Sequence, residues 1–317
     1  MEAQSAIAIQ YFHCSSMGTR FDFLTYGIDE ELFNTVQQQI KQELERIESK
    51  FSRFAPHSEV YRINNLAFSK EVITDEETFE LINLCKIYYL KTNSLFDITV
   101  GKKTELPFHS QAITIQECSN TPSHFENSLL GADKIITVPS KTAIRFANPY
   151  LSIDLGGIGK GYALEKIKNI CLQYQITNAF ISFGESSITT LGRHPHGDHW
   201  PIGIQHAFNP GPTIYTCKLN NSSISTSGNS LNNKTKFGDR GHIYHPKTGT
   251  FENTPKSVSV VCQSAIEAEV LSTALFIANE DEREKTLDQF SVNEALQVNY
   301  DSFNNYTIIN YNTKVNP

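Results

Sequence analysis

Apolar and polar positions alternate with a period of two at the start of the chain, then switch to helical spacing. Residues 6 to 13 and 19 to 26 predict two strands, joined by the small-residue turn Cys14-Ser15-Ser16-Met17-Gly18. Leu32, Phe33, Val36, Ile40, Leu44, Ile47 and Phe51 then recur at helical intervals, and Asp29 ahead of Glu30 and Glu31 supplies an N-cap. A loop over 51–59 leads to Tyr61-Arg62-Ile63-Asn64. Thr74-Asp75-Glu76-Glu77 reads as a capping box that opens a helix to about Lys91. Residues 105–130 have no period and read as an irregular excursion. The stretches 135–138 and 143–146 predict a hairpin. Further strands are predicted at 179–183, 188–191, 202–205, 257–262 and 306–311, with 188–191 pairing 202–205. Ser225 to Asn229 reads as a small-residue turn. Ser264 caps a helix carrying Ile266, Glu269, Val270, Thr273, Leu275 and Phe276, and 281–289 adds a short one. Strands and helices mix without a βαβ rhythm, so the fold class is α+β in a single domain, 1–317.

The stretch Ile153-Asp154-Leu155-Gly156-Gly157-Ile158-Gly159-Lys160-Gly161-Tyr162 organises this pattern. Leu151, Ile153 and Leu155 predict a strand. A glycine cluster follows, then a helix with Ala163, Leu164, Ile167, Ile170 and Cys171 on its apolar side. Glycines let backbone approach a ligand, and a helix start offers free N–H groups to an anion. Neither standard phosphate motif fits. A P-loop requires glycine where Asp154 stands and Ser or Thr where Gly161 stands, and G-x-G-x-x-G requires glycine at Tyr162. On residue types alone, a turn needed for packing explains the stretch slightly better than a ligand site.

Composition narrows the function. The 317 residues are 39% hydrophobic and 19% charged, as in soluble globular proteins. A net charge of -7 argues against a nucleic-acid partner. No apolar run is long enough for a membrane span. The start has no basic n-region and no apolar h-region, so the protein as written is expected in the cytoplasm, or exported if a leader was removed. The 6 cysteines are scattered without a C-x-x-C and read as small core residues of a reduced protein.

Several polar spots carry candidate chemistry. Glu269 and Thr273 lie four apart on a largely apolar helix, so they share a face. Carboxylate, hydroxyl and backbone carbonyl are the ligands a hard cation such as Mg²⁺ prefers. His242 stands near a proline turn, where a hydrogen-bonded core histidine is the commoner role. Arg193-His194-Pro195-His196-Gly197-Asp198-His199-Trp200 suggests metal ligands, but its Pro and Gly explain it as a hairpin loop.

The order of these pieces resembles the ApbE family, the FAD:protein FMN transferases. The matching segments are Met17-Gly18-Thr19; Ser52-Arg53-Phe54 with Ser58-Glu59 and Asn64; Phe96 to Gly101; Asp154 to Ala163; Phe183-Gly184; Thr226-Ser227-Gly228; His242-Ile243-Tyr244 with Pro246, Thr248 and Gly249; and Glu269 to Ala274. They fall in the family's order and cover nearly the whole chain.

The resemblance implies an ApbE-like, T-fold-like arrangement of mixed sheets with packed helices around a central flavin cleft. It implies flavin contacts at Met17, Phe54, Leu95, Phe96, Asp97, Asp154, Lys160 and Tyr244. It places the metal on the Gly157 carbonyl, Glu269 and Thr273, and makes His242 the catalytic histidine. The implied reaction splits the pyrophosphate of FAD with Mg²⁺, joins FMN through a phosphoester to Ser or Thr of an acceptor protein, and releases AMP. Transfer to water, as in a Mg²⁺-dependent FAD pyrophosphatase, and a non-catalytic flavin binder are the alternatives. Three positions depart from the family, which usually has aspartate at 269 and at 245, and Gly-Gly-Asp or Gly-Gly-Asn in place of Gly184-Glu185-Ser186. The family is also commonly exported, often as a lipoprotein, and this start shows neither signal nor lipobox.

Overall fold

The computed structural model describes residues 8–100, 129–209, 211, 213–229, 243–301 and 305–311. The predicted excursion over 105–130 therefore lies almost wholly outside the described residues, as do Gly101 and His242.

The chain opens with a hairpin of β1 (Ile9–Ser16) and β2 (Thr19–Tyr26), registered so that Ser16 pairs with Thr19. The turn is only Met17-Gly18, both with positive φ (51° and 71°). Two left-handed residues give the twist that a two-residue hairpin needs, so Cys14 to Ser16 belong to the strand and not to the turn. Helix α1 (Glu30–Phe51) follows, with the Asp29 side chain accepting from the Leu32 N–H at 2.8 Å. Helix α2 (Glu59–Leu66) is capped by Ser58 and was not foreseen in the short run around Ile63. After β3 (Val72–Ile73) comes α3 (Glu76–Lys91), whose cap is Asp75, not a Thr74–Glu77 box. Glu77 is drawn away by cations on other helices, as described below.

Strands β4 (Ile135–Val138) and β5 (Ala143–Phe146) form the expected hairpin, and β3 adds to it. Helix α4 (Gly159–Gln173) then leads to β6 (Ala179–Phe183) and β7 (Ser187–Leu191). Strand β8 (Trp200–Gln205) pairs with β9 (Thr213–Leu219), so the expected pairing of 188–191 with 202–205 is wrong. Residues 193–199 connect two different sheets and are no hairpin loop. There His194 Nδ1 accepts from the His196 N–H, and its ring meets Trp200 edge-on.

Strand β10 (Ser223–Gly228) occupies the stretch that reads as a turn. It is central, flanked by β7 and by β13 (Lys256–Cys262), because small hydroxyl residues fit where a helix packs closely on the sheet. Its hydroxyls are paired: the buried Ser223 with Thr189 and the half-buried Thr226 with Ser259, each at 2.8 Å. A small ladder of β11 (Tyr244–His245) and β12 (Thr250–Phe251) precedes β13. Helix α5 (Ala265–Ile277), α6 (Glu280–Leu287), β14 (Glu294–Tyr300) and β15 (Tyr306–Tyr311) complete the order.

Among the described residues the main sheet has eight strands in the order β1-β2-β6-β7-β10-β13-β14-β15, and its ladders are antiparallel. One face carries α1, α4 and α5 over the larger core. The other face is covered by the β8–β9 hairpin, with Trp200, Ile202, Ile204 and Leu219 against Ile224, Val261 and Leu296. Cores on both faces leave every position of β7 and β13 buried. Cys85, Cys171, Cys217 and Cys262 are buried free thiols and Cys14 is a partly buried one. No helix among the described residues is long and apolar enough to cross a membrane.

Glu77 staples three helices. Both of its oxygens accept from the Arg46 guanidinium of α1, at 2.6 and 2.8 Å. Lys50 of α1 and Tyr162 and Lys166 of α4 complete the cage. The Arg46 hydrogen bonds outweigh burial, which pushes the other way, and hold the Glu77 carboxyl far below the usual carboxylate range. A depressed pKa contributes stability that is present above the unfolded value and lost as pH falls through the folded one. Glu77→Gln is expected to cost about 1–3 kcal/mol at neutral pH in urea denaturation, between exposed and buried ion pairs. Below about pH 4.5 the wild-type advantage should shrink.

Candidate active site

The 151–155 run is extended and buried, but it joins no sheet. Asn64 of α2 replaces the missing partner strand. Its amide donates to the Ile153 carbonyl at 2.9 Å, and its Oδ1 accepts from the Ile153 N–H at 2.7 Å. The predicted strand is thus corrected to a single extended segment held by one side chain. The Asp154 N–H donates to the Ile98 carbonyl at 2.8 Å, which ties this segment to Leu95-Phe96-Asp97. The latter leaves the end of α3 through two left-handed residues, Asn93 and Ser94. Phe96 lies beside the glycine turn, its ring 3.4 Å from where a Cβ on Gly157 would stand.

Asp154 Oδ1 accepts from the Gly156 N–H at 2.8 Å and shapes the turn. Its Oδ2 lies 3.5 Å from Arg53 Nε. The Arg53 guanidinium also rests 4.6 Å from the ring centre of Phe54, which is 69% exposed. Phe54 is thereby presented at the surface by a cation anchored on Asp154. Of the residues the resemblance points to for flavin, Phe54, Phe96 and Asp154 thus lie around one turn, and Asp97 and the buried Leu95 flank Phe96 in sequence.

The Asp97 carboxyl is only partly exposed and accepts from the Thr99 N–H and hydroxyl at 2.9 and 2.8 Å. Burial outweighs these bonds and raises its pKa to about 6.

The second group lies at the start of α4. Its N-cap is Ile158, which has no side-chain hydrogen bond to offer. Glu269 of α5, 4% exposed, fills that role by accepting from the Gly161 N–H. Its other oxygen is 3.4 Å from Lys160 Nζ. Lys160 Nζ also donates to Ser186 and Ser187 Oγ, each at 2.9 Å. Ser186 belongs to the β6–β7 turn, where Gly184 and Glu185 have positive φ. One turn along α5, the Thr273 hydroxyl lies 3.3 Å from Ser227 Oγ. Lys160 and Glu269 therefore meet at the start of α4, and Thr273 stands one turn further along α5.

Met17 and Tyr244 stand on other elements. The strained Met17 backbone donates to Glu48 Oε2 of α1 at 3.1 Å. Tyr244 is buried and meets Phe251 edge-on. His245 Nδ1 faces the Lys247 N–H at 3.3 Å, and burial lowers the pKa of its imidazole.

Sequence reasoning missed Ser187, the anchoring by Arg53 and the steric need at Gly161. A Cβ on Gly161 would stand 2.6 Å from the Ala265 carbonyl oxygen and 2.8 Å from Glu269 Oε2. A glycine inside the first turn of a helix, without positive φ, is the signal that points to a helix crossing.

Asp97 provides a test of site strain. A raised carboxyl pKa means the folded state favours the proton, so stability falls as pH rises from about 4 to 6. Asp97→Asn keeps an acceptor for Thr99 and removes the charge. It is expected to raise stability by roughly 1–2 kcal/mol at pH 7 and to change it little at pH 4, read by urea denaturation.

Comparison with known proteins gives the family and agrees with the fold. The family model described as the ApbE family matches residues 17–296. A protein of Klebsiella pneumoniae (strain 342) named FAD:protein FMN transferase is 26% identical over 82% of this chain and 79% of its own. A Chlamydia muridarum protein of the same name is 30% identical over 75% of this chain and 74% of its own. The crystal structure of the ApbE protein of Thermotoga maritima superposes with a TM-score of 0.81 at 25% identity, covering 96% of this chain and 98% of that one. The flavin transferase ApbE of Vibrio cholerae shares the fold, with a TM-score of 0.78 at 20% identity over 97% of this chain and 98% of that one. With the match running from the Met17 turn through α5 to β14, the chain belongs to the ApbE family.

Proposed function

We propose that this protein is an FAD:protein FMN transferase. It cleaves the pyrophosphate of FAD, attaches FMN to a Ser or Thr hydroxyl of an acceptor protein and releases AMP. The family membership and the names of its relatives support this reading. The observation that carries it is the convergence of Lys160 and Glu269 at the start of α4, directly after the Asp154 turn. A helix N-terminus with an adjacent ammonium attracts a pyrophosphate.

The donor set fits a magnesium ion. The Gly157 carbonyl, the buried Glu269 carboxylate and the Thr273 hydroxyl are hard oxygen ligands, and a metal there would share Glu269 with Lys160, 3.4 Å away. Mg²⁺ bound there would neutralise charge on the pyrophosphate. The remaining roles belong to the chain's own residues. Lys160, held by Ser186 and Ser187, binds the phosphates. Met17, Phe54, Leu95, Phe96, Asp97, Asp154 and Tyr244 hold the flavin half. The acceptor oxygen forms a bond to the FMN phosphorus while the bond to the AMP oxygen breaks. His242 takes the proton of the acceptor hydroxyl, a contribution of about 10²–10⁴-fold for a positioned base.

Incubation with FAD and Mg²⁺, with and without acceptor protein, tests this reading. Covalently flavinylated acceptor plus AMP is expected. Free FMN regardless of acceptor would make it a pyrophosphatase, and intact bound FAD a flavin binder.

Two variants probe the residues. His242→Ala should lower turnover by roughly 10²-fold or more and leave FAD affinity within about twofold. Equal losses in both would instead make His242 a binding contact. Glu269→Asp withdraws the carboxylate by about 1.5 Å, and Mg²⁺ tolerates poor ligand geometry badly. AMP release at saturating Mg²⁺ should fall by about tenfold or more, a typical cost of disturbing a metal site. Faster release by the aspartate variant would show a decayed site and overturn this assignment.

A further inference from the structure

A helix start leaves its first backbone N–H groups unpaired, and each one buried needs an acceptor. Helices α4 and α5 supply that acceptor to one another. The Gly161 N–H of α4 is taken by Glu269 of α5. The Ala265 N–H of α5 is taken by Glu165 of α4, at 2.6 Å. Each helix thus offers an amide at one position and a carboxylate four residues later. Four residues is one turn, so amide and carboxylate lie on the same face. The two faces meet with almost no gap, since a Cβ on Gly161 would stand 2.6 Å from the Ala265 oxygen.

The pair is symmetric in its bonds and unequal in its surroundings. The second oxygen of Glu269 faces Lys160 at 3.4 Å, inside the site. The second oxygen of Glu165 faces Lys168 at 3.7 Å, one turn outside it. From the N-cap position of α5, Ser264 accepts from the Glu267 N–H at a long 3.3 Å. The two glutamates thus tie α5 to α4 lengthwise at both helix starts, on top of its packing on the sheet. The lengthwise position of α5 determines where Glu269 and Thr273 stand relative to Lys160.

We propose that Glu165 is a positioning residue. From outside the site it fixes α5 on α4, and through α5 it fixes the Glu269 carboxylate and the Thr273 hydroxyl that bind the cation. The cation part rests on the reading of Glu269 and Thr273 as metal ligands. The helix-coupling part does not.

The test uses the full chain with Glu165→Ala and Glu165→Gln. Glutamine keeps an oxygen acceptor for the Ala265 N–H, and alanine removes it. Amide exchange of the protein alone, without FAD or Mg²⁺, is read by NMR at Gly161 and Ala265. Glu165→Ala should speed exchange at both amides, although only Ala265 loses its acceptor, and Glu165→Gln should stay near wild type. The Mg²⁺ concentration for half of the Mg²⁺-induced rise in Tm should increase about tenfold in Glu165→Ala, as for loss of groups that orient metal ligands. The glutamine variant should recover most of it. Faster exchange at Ala265 alone, or an unchanged Mg²⁺ midpoint, would reduce Glu165 to a local cap and overturn the proposal. If wild type shows no Mg²⁺-induced rise, the metal reading fails, and the exchange at Gly161 decides the positioning role by itself. Should Glu165→Ala not fold, Glu165→Asp replaces it, with the same expected directions.

Discussion

The site depends on one buried contact, the Glu269 carboxylate on the first turn of α4. This helix starts on glycines and an isoleucine, none of which offers a side-chain acceptor to its open amides. Burial of the start under α5 would leave those amides costly without an acceptor. Glu269 removes that cost and brings a negative charge to the positive end of the helix dipole. The same carboxylate then holds Lys160 in place beside the β6–β7 turn. Helix stability and site charge are thus properties of a single group.

That contact needs two close approaches, and each explains an odd residue choice. The first is between helices, where Gly161 is required because of space and not because of φ. The second is between α5 and the sheet beneath it. Strand β10 has serines at 223, 225 and 227, and α5 lies on it. Small hydroxyls let the helix sit low, and they satisfy one another. Ser272 contacts Ser227 at 2.9 Å and Ser225 at 3.2 Å, and Ser227 contacts Thr273 at 3.3 Å. A larger apolar strand would lift α5 and carry Glu269 away from Gly161.

What could be read from the sequence follows the distance over which each interaction acts. The caps of α1 and α5 were legible because Asp29 and Ser264 act three residues ahead. The cap of α4 was not, since Glu269 lies 108 positions from Gly161. Glu77 reads as part of a capping box, but its partners sit 27, 31, 85 and 89 positions away and win by number and charge. The alternation at Leu151, Ile153 and Leu155 correctly gave burial, and wrongly gave a strand, because Asn64 can imitate a ladder. The order of motifs pointed to the Asp154 turn, while the role of Arg53 is set by Asp154 and Phe54, which lie on either side of it in space. Strand β10 was lost because serine and glycine signal turns locally, while the packing that selects them here is tertiary.

Geometry also bears on why residue 269 is glutamate where the family usually has aspartate. The backbone of α5 already rests on the Cα of Gly161, so the helices cannot move closer to suit a shorter acid. One carboxylate oxygen must cross to the Gly161 amide while the other stays turned toward Lys160. The extra methylene gives that reach without moving either helix. Glu269 is 4% exposed with both carboxylate oxygens engaged, so its full length is used by these two contacts.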